Sequence, residues 1–305
     1  MFESLNKQEI IREYDRCVAI LKSTDILTFF PKQENFGVIG IDGKEYPLPT
    51  QEEVAGLFAH NSKHIRLKVS QGFNRLELTP LAMPLPLLLD LMKAAILKHA
   101  AAGTIYQTRR SASDPLIPVR INHEKLVWTW DTLKEAIEAG ELVYFPKEYS
   151  ENHGGQAKAE VIINKNICAF PGWSVGLVES NPMVPQQGCG LTLGGRHQLE
   201  AGYSPREYLH LLQTEPYLGE TGKTLEDFII KFLTHLDATN EISNDRCDNN
   251  SLWCLGQYIK IKYAELIPTG WWHRAYGRVR LDMHRTGNKR CTASWGGATT
   301  VRLSG

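Results

Sequence analysis

Between Arg278 and Arg285 the chain alternates strictly. Val279, Leu281 and Met283 occupy one set of positions, and Arg278, Arg280, Asp282 and His284 the other. A period of two belongs to a β-strand, whose successive side chains point to opposite faces. A helix would scatter the same apolar residues around its cylinder. The segment therefore predicts a strand with one buried face and one charged face. Thr286-Gly287-Asn288 reads as a turn, and Thr292 to Trp295 as a short strand. Gly296-Gly297 permits a bend or a close backbone approach. Ala298 to Leu303 is rich in β-branched residues and predicts a closing strand paired inside a sheet.

This tail is also unbalanced in charge. Arg274, Arg278, Arg280, Arg285, Lys289, Arg290 and Arg302 are set against Asp282 alone, although the chain as a whole has a formal net charge of zero. Arginine and tryptophan dominate binding hot spots. The same residue types suit phosphate and single-stranded nucleic acid. The candidate ligand-binding residues are Trp272, His273, Arg274, Tyr276, Arg278, Arg280, Asp282, His284, Arg285, Asn288, Arg290 and Thr292. The competing reading is a solvated strand face above a tryptophan core.

The W-x-R spacing at Trp272-His273-Arg274 and the ending Gly296 to Leu303 (GGATTVRL) carry a resemblance. They resemble the close of the formylglycine-generating-enzyme type of C-type lectin fold. More narrowly, they are similar to the variable proteins diversified by retroelements in bacteria, archaea and their viruses. In that group the C-terminal strands and loops form a ligand-binding face whose side chains vary while the fold persists. The resemblance covers Leu225 to Leu303. It implies a C-type-lectin-like C-terminal domain and a protein or other macromolecular ligand. The tail departs from the pattern in being rich in arginine. It holds only Cys291 where the enzymes of the wider fold use a cysteine pair, so their catalysis is not carried over.

The rest of the chain predicts an α+β protein. A mixed α/β N-terminal domain spans 1–150, and a domain of short antiparallel strands and two helices spans 151–305. At 305 residues the chain has room for both. In the first part, Asp42-Gly43 predicts a hairpin over Phe36 to Pro47. Thr50 with Glu53 fits a capping box. Ile65, Leu67 and Val69 alternate with Arg66 and Lys68 as a strand would. Leu87 to Ala102 is the most apolar helix. In the second part, Glu160 to Ile163 is a strand candidate. Ser204-Pro205-Arg206-Glu207 and Thr224-Leu225-Glu226-Asp227 open two helices, the latter with a stripe of Leu225, Phe228, Ile229, Phe232, Leu233 and Leu236.

No apolar run reaches the ~18 residues of a membrane span. The start, MFESLNKQEIIREYDRC, lacks the basic and apolar regions of a secretory leader, so a cytoplasmic location is expected. Cys17, Cys168, Cys189, Cys247, Cys254 and Cys291 form no CxxC pair and predict free thiols. No metal or cofactor is expected. The oxygens of Asn244 to Asn250 could take calcium, but turn chemistry accounts for them as well. No G-x-S-x-G, HExxH or P-loop occurs. The favoured function is non-enzymatic ligand recognition. The alternatives are nucleic-acid binding by the basic cluster, or an enzyme with a site between the two halves drawing on Arg109, Arg110, His123, His153 or His235.

Overall fold

The structure is a computed structural model that describes residues 6–109, 111–179, 196–245, 251–261, 264–287 and 294–305. It is an α+β fold. The first part runs α1 (Lys7–Ser23), β1 (Thr28–Phe30), β2 (Asn35–Ile39), β3 (Glu45–Pro47), α2 (Gln51–His60), α3 (Ser62–Ser70), β4 (Phe73–Thr79), α4 (Leu85–Ala101), β5 (Val127–Thr129), α5 (Asp131–Ala139) and β6 (Val143–Tyr144). The second continues with α6 (Lys158–Val161), β7 (Ser174–Glu179), α7 (Pro205–Leu211), β8 (Glu220–Gly222) and α8 (Leu225–Thr239). It closes with β9 (Ser251–Trp253), β10 (Gln257–Ile261), β11 (Ala264–His273), β12 (Arg278–Arg285), β13 (Trp295–Gly297) and β14 (Thr299–Arg302).

Among the described residues the strands form three sheets. The first is the meander β1-β2-β3, whose β2–β3 turn holds Gly43 at φ +74°. The second has the order β13-β9-β11-β10-β6, with β12 paired to β11 and β5 paired to β12. The third has the order β4-β7-β14-β8, so the closing strand lies between two earlier ones. The division expected at residue 150 does not separate these sheets. β4 bonds to β7, β5 to β12 and β6 to β10, each pair drawing one strand from either side of it. One apolar cluster likewise runs from Ile10 to Leu303.

Two segments read as strands are helices. In α3, Ile65, Lys68 and Val69 are buried, a spacing of three and four that belongs to a helix. Leu67, which the alternating pattern would bury, is 52% exposed. Lys158–Val161 is the short helix α6, where Glu160 takes the backbone N–H of Ala157 at 2.8 Å. Both segments are short apolar runs, for which periodicity does not separate strand from helix. The two predicted capping boxes at Thr50/Glu53 and Ser204/Glu207 are present.

α8 holds the sheets together. Phe228, Ile229, Phe232, Leu233 and Leu236 are fully or almost fully buried, and burial of such side chains contributes about 1.5–3 kcal/mol each. Gly270 of β11 lets the helix approach, since a Cβ there would lie 2.8 Å from the Phe228 ring. The first turn of α8 is charged yet buried. Asp227 accepts from Thr79 of β4 at 2.9 Å and pairs with Arg302 of β14. Glu226 accepts from Tyr144 of β6 at 2.7 Å, Gln257 of β10 at 2.8 Å and Lys158 of α6 at 2.9 Å. Just before the helix, Lys223 pairs with Glu77 of β4 at 2.9 Å. Three buried carboxylates thus find their donors on five other elements and on Lys223 in the turn before α8, and each is satisfied, as a buried charge must be.

Candidate functional site

β11 and β12 form a long antiparallel hairpin, with Trp271 opposite Arg280 and Thr269 opposite Asp282. The alternation in β12 behaves as its period dictates. Val279, Leu281 and Met283 are buried in the main apolar cluster. Arg278 and Arg280 lie half-buried on the opposite face. Gly277, at φ +60°, turns the chain between the strands, and a Cβ there would sit 2.4 Å from the Arg120 carbonyl oxygen. Asn122 donates its backbone N–H to the Gly277 carbonyl at 2.8 Å, which fixes this turn against the first part of the chain.

On that face cations and aromatic rings interleave. The Arg278 guanidinium lies 4.9 Å from the Tyr276 ring centre and 6.0 Å from that of Trp128. Arg280 lies 4.4 Å from Trp128 and 5.4 Å from Trp271. His273 and Tyr276 rings are 4.4 Å apart. The order along the face is therefore His273, Tyr276, Arg278, Trp128, Arg280. Trp128 comes from β5, which runs parallel to β12 and sets Trp128 beside Arg280. Its own segment, Leu126 to Trp130, is a short apolar and aromatic run, and nothing local marks its pairing with a strand so far along the chain.

The predicted site residues divide into groups. His273, Tyr276, Arg278 and Arg280 share this face. Arg274 is anchored by Asp245, its Nε donating at 2.8 Å. Asp282 is buried, accepts from Arg280 at 2.7 Å and caps the Met283 N–H at 3.0 Å, so it orients Arg280 rather than facing a ligand. His284 leaves the face to pack edge-on against Trp253 and Trp295, with ring centres at 5.6 and 4.9 Å. Arg285 is exposed. Trp272 corrects the expectation of a solvent-facing contact residue. It is fully buried and stacks on Phe232 of α8 at 6.4 Å, because its position in β11 points it into the core. Asn288, Arg290 and Thr292 lie outside the described residues, as do Cys189, Cys247, Cys291 and Arg110.

The residues weighed for an enzyme site are dispersed into separate local structures. Arg109 pairs with Glu241 at 2.6 Å. His153 accepts the Gly155 N–H at 2.9 Å and packs against Tyr258. His123 is exposed. His235 lines a cavity beside α8. Cys17, Cys168 and Cys254 are free and buried, and burial pushes the first two thiols up to about 12. Among the described residues no group of three or more His, Cys, Asp or Glu is placed to hold a metal ion, and no helix is long and apolar enough to cross a membrane. Comparison with family models, with curated proteins and with solved structures returns no match.

Proposed function

We propose that the chain is a non-enzymatic ligand-recognition protein that binds a protein or other macromolecular ligand on the face carrying His273, Tyr276, Arg278, Trp128 and Arg280. The interleaving of guanidinium groups with half-buried aromatic rings supports this reading. Rings in van der Waals contact with arginine hold the cations upright at little further entropic cost. A partner that covers the face then meets an ordered set of donors above an apolar floor, the composition of an interface hot spot. Within this proposal the C-terminal part is C-type-lectin-like, and the chain is a variable protein of a diversity-generating retroelement. The ligand-facing side chains then sit on β12 and its flanking turns while the buried face stays constant.

Sequencing the region that flanks the gene in several isolates tests the family reading. The expected finding is an imperfect copy of the segment coding for Trp271 to Leu303, differing mainly at adenines, beside a reverse-transcriptase gene. Isolates that differ at Val279, Leu281 or Met283 as often as at Arg278 and Arg280 sink it.

A nucleic-acid ligand is the second reading, favoured by the same stacking of arginine on aromatic rings, a platform that bases also use. It predicts that a single-stranded oligonucleotide binds and that its affinity falls steeply between about 50 and 200 mM salt. Fluorescence anisotropy with no salt response removes it.

A further inference from the structure

The β11–β12 hairpin carries three arginines close together, and they differ in what neutralises them. Arg280 pairs with Asp282 at 2.7 Å and Arg274 with Asp245 at 2.8 Å, and both acids are buried. Arg278 has no carboxylate among the described residues. Its guanidinium is instead held by rings, Tyr276 at 4.9 Å and Trp128 at 6.0 Å. Its Nε is buried with no hydrogen-bond partner. With Nε covered, the terminal nitrogens Nη1 and Nη2 are the donors that remain to a ligand.

This arrangement restricts what can cover the face. A partner that excludes water also desolvates the Arg278 guanidinium, and a buried charge without a counter-charge opposes binding. Arg280 and Arg274 bring their own acids, so the partner has to supply one negative charge, at Arg278. We propose that the ligand of this face presents a single aspartate or glutamate side chain to Arg278, which takes the carboxylate end-on through Nη1 and Nη2. The inference rests on the recognition reading of the face and names the chemistry of its partner.

Geometry and charge both favour a carboxylate. A backbone carbonyl could accept a hydrogen bond but would leave the charge unmatched, whereas the two oxygens of a carboxylate meet the planar fork in parallel. A nucleic-acid strand brings a row of phosphates, and it would find Arg280 and Arg274 already neutralised by Asp282 and Asp245. One isolated acid fits better than a line of anions. Its neighbours in the ligand are apolar, because the Tyr276 ring is 52% exposed and the Trp128 ring half-buried beside the guanidinium.

The test uses the full chain and random peptides of about a dozen residues displayed on phage, fused at their C-termini so that no terminal carboxylate competes. Peptides that bind the wild type and are lost in Tyr276→Ala use the face. In synthetic copies of these, each Asp or Glu is replaced by its amide. One replacement should weaken binding to the wild type about tenfold or more, and change binding to Arg278→Gln by less than about twofold. Arg278→Lys, which keeps the charge without the fork, should fall between the two. Face-dependent peptides that tolerate every amide overturn the proposal and leave the recognition reading standing, as does an equal loss in Arg278→Gln. A single-stranded oligonucleotide that binds more tightly than the peptides, and is lost in Arg278→Gln, overturns it in favour of phosphate. Should no peptide depend on Tyr276, the recognition reading falls and the proposal with it. The amide series on the wild type and Arg278→Lys keeps the test decisive where Arg278→Gln fails to fold.

Discussion

The guanidinium of Arg280 lies 4.4 Å from the centre of the Trp128 ring, across the parallel pairing of β12 with β5. The contact joins two segments far apart in the chain, and Asp282 holds Arg280 from its other side at 2.7 Å. The face is thus built by long-range pairing, although its charges are concentrated in one stretch.

Recognition and core residues separate by their effect on stability. Arg278→Ala and Tyr276→Ala remove half-exposed contacts and should each cost no more than about 1 kcal/mol. Trp272→Ala empties a fully buried position and should cost about 3–5 kcal/mol. Urea unfolding of the three variants checks this; similar losses in all three would place Arg278 and Tyr276 in the structural core.

Arg302 and Asp227 form a buried pair on which β14 and α8 both depend. Burial alone would raise the Asp227 carboxyl, but Arg302 and then Lys223 outweigh it and hold it below its ordinary range. Arg302→Met strands that charge and should cost about 3–5 kcal/mol. Adding Asp227→Leu should recover part of the loss, since the stranded charge is then gone. A double variant no more stable than Arg302→Met would show that the pair acts through something other than its charge.

His235 makes stability depend on pH in a defined window. Its folded value of about 4 lies below an ordinary histidine near 6.5. Between these values the unfolded chain binds the proton and the folded chain does not. The contribution is complete above about pH 6.5, where both states are neutral, and is lost as pH falls towards 4. Urea midpoints for the wild type and His235→Gln should diverge only below that upper limit. Parallel curves from pH 7 to 4 would disprove the assignment.

The buried thiols should be silent in the native protein. With burial holding Cys17 and Cys168 up to about 12 and raising Cys254 well above an ordinary thiol, thiolate is negligible at pH 8. Iodoacetamide followed by mass mapping should leave all three unmodified until urea is added. Native labelling of Cys254 would mean that the turn between β9 and β10 opens readily.

The strand β12, the stripe of α8 and the capping boxes were legible in the sequence because each is a local pattern with a fixed period or spacing. The fate of Trp272 was not. Adjacent tryptophans in a strand point to opposite faces, and the pattern alone does not say which layer each face meets. In the structure both faces of β11 are covered there, Trp271 by Trp295 and Trp272 by Phe232. Glu226 and Asp227 read as ordinary acids at a helix start. Their burial follows from Tyr144, Gln257, Thr79 and Arg302, which no local window contains. Trp128 was missed for the same reason. Ile65, Leu67 and Val69 misled because a short run fits both periods.

The place of β14 between β7 and β8 sets an order of events during synthesis. β7 and β8 leave the ribosome well before residues 299–302 and have no partner in common until those residues emerge. Until then the Glu220–Thr299 bond at 2.7 Å and the Arg302–Asp227 pair cannot form. The nascent chain must carry an unfilled gap in its sheet, with Asp227 still lacking its Arg302 partner beneath it. Such exposed edges are what aggregation exploits and chaperones cover. Folding of the third sheet is therefore a late, long-range step, slow relative to the local helices that precede it.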